Sequence, residues 1–266
     1  MELQIYQVDS FTQELFKGNP AGVCITDKPL DESLMFSIAT EMAISETAFL
    51  SLNDMNLRWF TPKVEVKLCG HGTLAVAHIL QQSGVAEIGQ QLAFSTLSGT
   101  LLANIQPQHI AMDFPEPVLE MSPTVETQFL EYLGIRGEQI LGMASFDDKL
   151  LIEIESEQQL LALQPNFEAL KQLVGRGVLV TCHASRDDLD CISRYFAPWV
   201  GVNEDPVTGS AHCALAAYWG DKLSRTYLKA YQASERGGFV QLERLGKRRV
   251  SLIGNAVTSL TATLKL

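Results

Sequence analysis

Two short glycine-containing segments hold the residue types best suited to chemistry. They are Cys69-Gly70-His71-Gly72-Thr73 and Asp205-Pro206-Val207-Thr208-Gly209-Ser210, and each stands at the start of a predicted helix. The first turn of a helix presents unpaired backbone N–H groups and a partial positive charge. Glycine lets a ligand approach that backbone closely because it has no Cβ atom. Gly70, Gly72 and Gly209 are therefore predicted to line an anion site, for which a carboxylate is the natural occupant.

The helices that begin at these segments are apolar almost all the way round. Leu74–Leu80 and Ala211–Trp219 each lack a continuous polar face. A helix of this kind is buried on all sides, so each is predicted to be the central helix of its half of the chain, surrounded by sheet. The remaining sequence predicts short strands with few helices. This pattern favours an α+β fold with mixed sheets over a regular βαβ repeat.

An internal repeat relates the two halves. Arg58-Trp59-Phe60-Thr61-Pro62 is followed 136 residues later by Arg194-Tyr195-Phe196-Ala197-Pro198. Continued in the same register, Cys69 lies opposite Asp205, and after a one-residue insertion Gly72 lies opposite Gly209. The repeat predicts a duplication, with the equivalent helix starts meeting at a cleft between two lobes.

Composition limits the classes of partner. The chain has 266 residues, a net charge of -11 and 46% hydrophobic residues. Such an acidic surface repels nucleic acid and anionic lipid, and no stretch is long and apolar enough to span a membrane. The opening residues do not resemble a signal peptide, and the five cysteines fit reduced thiols, so a cytoplasmic protein is expected. No CxxC pair is present, and no metal site is predicted.

The domain boundary is predicted at Pro115-Glu116-Pro117. The first lobe is predicted to span residues 1–115 and the second residues 118–254. No dinucleotide-binding glycine motif follows a strand, and no phosphate-binding loop is present, so the common nucleotide-dependent enzymes are disfavoured.

Several motifs, in this order along the chain, resemble the PhzF-like family of phenazine biosynthesis, which is related in fold to diaminopimelate epimerase. They are Asn19-Pro20-Ala21-Gly22-Val23, Ser45-Glu46-Thr47-Ala48-Phe49, Arg58-Trp59-Phe60-Thr61-Pro62 and the two glycine-containing segments. The resemblance implies two pseudo-symmetric lobes, each a barrel-like mixed sheet around a central helix. It also implies that the last strand, residues 255–266, returns to the first lobe, and that the protein is a possible homodimer.

The same resemblance implies an isomerase that transfers a proton on a small carboxylate substrate without a cofactor. Glu46 is implied as the general acid/base, and His71 and Asp205 as polar residues over the reacting part of the substrate. Substrate-binding positions are implied for Asn19, Gly70, Gly72, Gly209 and Ser210.

Residue chemistry alone leaves alternatives open at these positions. An apolar setting would raise the pKa of Glu46 toward about 6–7, where a carboxylate both takes and returns a proton. Glu46 is equally explained, without the family context, as a structural carboxylate bonded to Ser45 or Thr47. His71 and Asp205 are also common turn residues.

Two other functions therefore remain. One is an amino-acid racemase or epimerase using Cys69 and Asp205, although the epimerase relatives use two thiols and here the second is replaced by Asp205. The other is a non-catalytic protein that binds small carboxylates.

Overall fold

The computed structural model describes residues 2–266, and strands dominate it. The six helices are α1 (Glu32–Met42), α2 (Gly70–Gln82), α3 (Thr127–Leu133), α4 (Glu157–Ala162), α5 (Phe167–Leu170) and α6 (Gly209–Leu223). Strands up to the middle of the chain are β1 (Glu2–Ser10), β2 (Asn19–Thr26), β3 (Glu46–Ser51), β4 (Asn56–Phe60), β5 (Glu65–Val66), β6 (Gln91–Thr96), β7 (Gly99–Ile105), β8 (Ile110–Pro115) and β9 (Glu120–Met121). The later strands are β10 (Ile140–Phe146), β11 (Lys149–Ile154), β12 (Gly177–His183), β13 (Cys191–Ala197), β14 (Val202–Glu204), β15 (Tyr227–Gln232), β16 (Gly238–Gly246), β17 (Arg249–Gly254) and β18 (Ala256–Lys265). The predicted α+β class is confirmed at this level.

The chain divides into two compact units. One contains the residues up to Phe114 together with Ser251–Leu266, and the other is Pro115–Val250. The crossing between them at the end of the chain occurs within β17, four residues before the boundary expected at Gly254.

The first unit is built around α2. Strand β1 pairs antiparallel with β18 on one side and with β2 on the other, β2 pairs in parallel with β3, and β3 pairs antiparallel with β4. Helix α2 contacts β1, β2, β3, β7 and β18. Its residues from His71 to Ala77 are all buried, which agrees with an apolar helix enclosed by its surroundings.

The second unit repeats the theme of a buried helix on a mixed sheet. Strand β12 pairs in parallel with β11 and antiparallel with β13, and β13 continues in parallel to β15. Helix α6 contacts β15 and β16. It contains the apolar stretch Ala211–Trp219 noted in the sequence, and its residues Ala211–Gly220 are buried. The short helix α4 contacts β12 and β13.

Two further observations concern the chain as a whole. Within residues 2–266, no helix is both long and apolar enough to cross a membrane. The five cysteines, Cys24, Cys69, Cys182, Cys191 and Cys213, are all free and buried.

Candidate active site

The first unit brings Glu46 and His71 into direct contact. Glu46 is the first residue of β3, and His71 is the second residue of α2. Glu46 Oε2 lies 3.2 Å from His71 Nε2, with 20% of the Glu46 side chain and 8% of the His71 side chain exposed. A carboxylate and an imidazole at this distance form a charge-assisted hydrogen bond when the imidazole is protonated. The carboxylate is the more accessible partner, so it is the group that a ligand reaches first.

Cys69 forms the N-cap of α2 and completes the cluster. Its Sγ atom accepts a hydrogen bond from the Gly72 N–H at 3.3 Å and lies 3.6 Å from His71 Nδ1. The residue is only 5% exposed. A Cβ atom on Gly72 would lie 2.8 Å from Trp59 Cδ1 and 3.0 Å from Cys69 Sγ. Gly72 is therefore required for packing, and its N–H is engaged by sulfur in this structure.

Neighbouring hydroxyl groups fix the position of His71. Ser10 Oγ donates a hydrogen bond to the His71 carbonyl at 2.8 Å. Ser45 Oγ donates to the Pro20 carbonyl at 3.3 Å and lies 3.4 Å from His71 Nε2. Asn19, predicted to bind substrate, is fully buried at the start of β2 and pairs with Ser10 across the β1–β2 ladder.

The sequence indicated Ser45 only as a possible hydrogen-bond partner of Glu46, and it indicated no role for Ser10. Ser45 stood next to the predicted acid/base, so its place in that motif was the available signal. Ser10 had no local signal, because it reaches His71 from a strand 61 residues away.

The pKa of Glu46 differs in direction from the sequence-based expectation. Burial raises this pKa, but the charge of His71 and hydrogen bonds from His71 and Ser45 lower it, and the result lies below the ordinary 4.5. The expected rise toward about 6–7 is therefore wrong for this state of the site. Burial was foreseen, whereas the adjacent imidazole was not.

His71 and Cys69 are shifted by the same contacts. Burial lowers the pKa of His71, while the Cys69 sulfur and the Glu46 carboxylate raise it well above 6.5. Burial raises the pKa of Cys69, which His71 only partly offsets. These directions favour an ionised Glu46 carboxylate beside a protonated His71 imidazole.

The predicted residues of the second unit gather at the start of α6. Asp205 Oδ2 accepts a hydrogen bond from Thr208 Oγ1, and the Asp205 carbonyl accepts one from Gln232 Nε2 at 2.6 Å. Gln232 Oε1 in turn accepts the Thr208 N–H at 2.9 Å. Gly209 is buried, whereas Ser210, the second residue of α6, is exposed. These bonds order the loop before the helix.

The helix start of the second unit lies further along the chain than the repeat register implies. Cys69 is the N-cap of α2, whereas Thr208 is the N-cap of α6 and follows Asp205 by three residues. The short 3-10 turn Pro198–Val200 lies earlier in the same connection. Counted from the caps alone, Cys69 matches Thr208, and the pairing of Cys69 with Asp205 stays a prediction.

The Glu46, Cys69 and His71 side chains also have the donor types of a metal site. One ligand atom from each lies within 4.8 Å of the others. Over residues 2–266, this is the group of at least three histidine, cysteine or acidic side chains that lie close enough together to bind one metal ion. The expectation of no metal site, which followed from the absence of a CxxC pair, stays a prediction.

A separate cavity of about 650 Å³ lies in the second unit. It is lined by apolar residues such as Met121 and Leu141 and by Tyr218 and Lys222. Both polar groups contact Glu153, with Tyr218 Oη and Lys222 Nζ each 2.6 Å from its carboxylate. None of the predicted site residues lines this cavity.

Comparison with known proteins places these features in a family. The family model for phenazine biosynthesis-like proteins, PhzC-PhzF, matches residues 8–262. A protein of Halalkalibacterium halodurans, named as an uncharacterised isomerase, is 46% identical over 268 residues, with 100% of both chains covered. The crystal structure of a PhzF-family protein from Enterococcus faecalis has a TM-score of 0.91 at 38% identity, again covering 100% of both chains.

A more distant likeness concerns the fold alone. A hydroxyproline epimerase from Agrobacterium vitis has a TM-score of 0.62 at 13% identity, covering 99% of this chain and 92% of that one. The predicted relation in fold to epimerases is confirmed at this level, whereas the relation to diaminopimelate epimerase itself stays a prediction. Because the family model covers most of the chain and the relatives align from end to end, this protein belongs to the PhzC-PhzF family of phenazine biosynthesis-like proteins.

Proposed function

We propose that this protein is a PhzF-like isomerase that moves a proton on a small carboxylate substrate, with Glu46 as the general acid/base and no cofactor. The observation that carries the proposal is the Glu46–His71 contact of 3.2 Å at the start of α2. This contact combines the accessible carboxylate of Glu46 with the buried imidazole of His71, whose backbone carbonyl accepts a hydrogen bond from Ser10.

His71 gives Glu46 a defined starting state. With its pKa lowered by His71, Glu46 is ionised near neutral pH and ready to accept a proton. A low pKa also makes a weak base, so the free site is not yet tuned for abstraction. An anionic substrate adds negative charge and excludes water beside the pair, and both effects raise the pKa of Glu46. The His71 cation then stabilises the negative charge that develops on the substrate.

The proposal assigns the substrate carboxylate to backbone N–H groups at the starts of α2 and α6, one helix in each unit. Gly70 and Gly209 supply close approach, and Ser210 supplies an exposed hydroxyl. Asp205 would act on the reacting part of the substrate, and Asn19 would support the binding of the substrate from β2. We also propose that each unit is a barrel-like sheet wrapped around its helix.

The test is a screen of small mono- and dicarboxylates in heavy water, read by mass spectrometry for protein-dependent deuterium uptake. Glu46→Gln is expected to lower the exchange rate by about 10²–10⁴-fold, the usual contribution of a general acid/base. Glu41→Gln, which alters an exposed carboxylate at the end of α1, is the matched control and should exchange like the wild type. Full exchange in a folded Glu46→Gln variant would refute the proposal.

The two alternative functions make opposite predictions in the same assay. A racemase using Cys69 and Asp205 would lose exchange in Cys69→Ala and keep it in Glu46→Gln. The 5% exposure of Cys69 and its raised pKa argue against that function, because the reactive form of cysteine is an accessible thiolate. A non-catalytic binder would show saturable carboxylate binding without deuterium uptake.

A further inference from the structure

We propose that Glu46, Cys69 and His71 form a binding site for Zn²⁺ and that the bound ion inhibits the protein. The inhibition rests on the function proposed above, since it requires Glu46 to be the acid/base. The binding itself does not, because it follows from the positions of three side chains. The role is that of a reversible inhibitor and not of a resident cofactor.

The distances between the three side chains fit a tetrahedral zinc ion. With bonds of about 2.3 Å to sulfur and about 2.0–2.1 Å to nitrogen or oxygen, such an ion separates its sulfur and nitrogen ligands by about 3.6 Å and its nitrogen and oxygen ligands by about 3.3 Å. His71 Nε2 lies 3.8 Å from Cys69 Sγ and 3.2 Å from Glu46 Oε2. Cys69 Sγ lies at a similar distance, 3.6 Å, from His71 Nδ1, and all three donor atoms lie within 4.8 Å of one another. One ion can therefore contact all three atoms once the imidazole turns Nε2 toward the sulfur and the Glu46 carboxylate moves inward.

The donor types select the class of metal. One thiolate, one imidazole and one carboxylate suit zinc and its tetrahedral analogues, whereas magnesium and calcium require oxygen ligands almost exclusively. Three protein ligands leave a fourth position for water, as in open zinc sites. The 20% exposure of the Glu46 side chain gives the ion its entry path.

The surroundings already hold two of the ligands in place. The Gly72 N–H donates to Cys69 Sγ, and Ser10 anchors the His71 backbone. Groups of this kind orient metal ligands and raise affinity. Binding replaces the thiol proton of Cys69 and the proton on His71 Nε2, and both protons pass to solvent. The Glu46 carboxylate then binds the ion and no longer accepts a proton from substrate.

A second cysteine–histidine pair provides the matched control. Cys182 and His183 are adjacent on β12, and successive side chains of a strand point to opposite faces of the sheet. Cys182 is fully buried, whereas His183 is exposed. These two side chains therefore do not converge on one ion.

The test measures metal binding in the absence of substrate. Zn²⁺ is titrated into the protein in competition with a chromophoric chelator, and Co²⁺ is used as a spectroscopic probe for a thiolate-to-metal charge-transfer band. One ion per chain is expected, with affinity reduced more than about 100-fold in Cys69→Ser and in His71→Gln, beyond the effect usual for outer ligand partners. Cys182→Ser and His183→Gln should bind as the wild type does, and Mg²⁺ should not compete.

Protein stability does not obscure the result, because serine also caps a helix well and Cys69→Ser is expected to fold. Unchanged Zn²⁺ affinity in a folded Cys69→Ser variant, or the absence of the Co²⁺ thiolate band in the wild type, would overturn the proposal. In the heavy-water assay, saturating Zn²⁺ should abolish deuterium uptake and a chelator should restore it. If the wild type binds Zn²⁺ but Glu46→Gln exchanges deuterium at the full rate, the acid/base role of Glu46 is refuted and the metal site still stands.

Discussion

At the scale of single residues, Glu46 and His71 define each other's charge. His71 lowers the pKa of Glu46 below 4.5, and Glu46 contributes to raising the pKa of His71 well above 6.5. Because the two pKa values move apart, we expect the ion pair to persist from moderately acidic to neutral pH. The mutual part of these shifts does not follow from the local sequence, since 25 residues separate Glu46 from His71, whereas Cys69 and Ser45 act from neighbouring positions in the chain.

The stability of the pair should depend on pH in a defined window. Glu46 has a lowered pKa, so its contribution is complete above 4.5 and is lost as the pH falls through its folded value. His71 has a raised pKa, so its contribution is complete below 6.5 and is lost as the pH rises through its folded value. The stabilising contributions of Glu46 and His71 are therefore both complete between pH 4.5 and 6.5. In that window Glu46→Gln should lower the free energy of unfolding by about 1.5–3 kcal/mol, as expected for a hydrogen bond between charged groups.

Urea unfolding between pH 5 and pH 9 tests this window. The deficit of Glu46→Gln relative to the wild type should shrink as the pH rises, whereas Glu41→Gln should show no deficit. NMR titration of the histidine ring protons gives a direct check, because the pKa of His71 should fall in Glu46→Gln. An unchanged His71 pKa in that variant would mean that the contact with Glu46 does not set its charge.

The sequence identified much of the site at this scale and missed its electrostatics. Glu46 and His71 were both named from their motifs, and they prove to be in contact. The direction of the Glu46 pKa was not predictable, because the apolar residues after Glu46 signal burial but say nothing of a cation that arrives from another element.

At the scale of elements, the duplication is visible as a repeated arginine clamp in each unit. Arg58 donates to Glu65 through Nε and Nη2, and Arg194 donates to Glu204 through the same two atoms. Each guanidinium also lies 4.9 Å from the ring of the phenylalanine two residues later, Phe60 in one unit and Phe196 in the other.

The clamp explains why the repeat was found and why the paired glutamates do not follow the same spacing. The arginine and phenylalanine positions match in sequence, so the repeat was detectable. The positions of Glu65 and Glu204 do not match in sequence, because the loop in the second unit contains the 3-10 turn Pro198–Val200 before β14. A spacing argument that allowed a single inserted residue could not locate that turn, which changes the loop length without leaving a motif.

The two clamps should differ in strength. Arg194 also donates through Nη1 to the carbonyls of Leu160 and Leu163 at the end of α4, whereas Arg58 has an exposed carboxylate, Glu32, as its additional partner. Lysine cannot reproduce the planar fork of arginine. We expect Arg194→Lys to lower the free energy of unfolding by about 1–2 kcal/mol more than Arg58→Lys, since two carbonyls lose their donor. Equal losses in urea unfolding would show that the carbonyl bonds add nothing.

The start of α2 should be intolerant of even one added methyl group. Alanine favours a helix by about 1 kcal/mol over glycine, but a Cβ on Gly72 would overlap Trp59 and Cys69 Sγ. We expect Gly72→Ala to destabilise the protein by about 1–3 kcal/mol, the usual cost of overpacking. The matched control is Gly137→Ala, where a Cβ meets nothing within 4 Å and the effect should stay within about 0.5 kcal/mol. If Gly72→Ala left the free energy of unfolding unchanged, the Trp59 side chain would have to move aside at no cost.

At the scale of the whole molecule, the chain assembles its two units differently. The second unit is one continuous segment, Pro115–Val250, whereas the first needs Ser251–Leu266 in addition to the residues up to Phe114. The all-apolar pattern of residues 74–80 and 211–219 was sufficient to predict one buried helix in each half. The return of the last strand came only from family resemblance, because alternation within β18 does not indicate which strand it pairs with.

The pairing of β18 makes the first unit dependent on the end of the sequence. Strand β18 covers β1 along its whole length, from the pair Glu2 and Lys265 to the pair Ser10 and Ala256. It also contacts α2, where Thr258 Oγ1 lies 3.1 Å from His78 Nε2. Removal of β18 would leave a long edge strand beside a helix that has lost part of its cover. The first unit should therefore open, whereas the continuous second unit keeps its own core.

A variant that ends after Asn255 tests this dependence by hydrogen exchange. Amides of β1 and α2 should exchange markedly faster than in the full chain, because local opening governs their protection. Amides of β12, which is buried from Gly177 to Cys182 in the second unit, should remain protected. Removal of only Lys265 and Leu266 serves as the control and should leave both patterns intact, since the other pairs of the β1–β18 ladder survive. Equal loss of protection in β12 would show that the two units unfold as one, and unchanged protection in β1 would show that β18 is dispensable to the first unit.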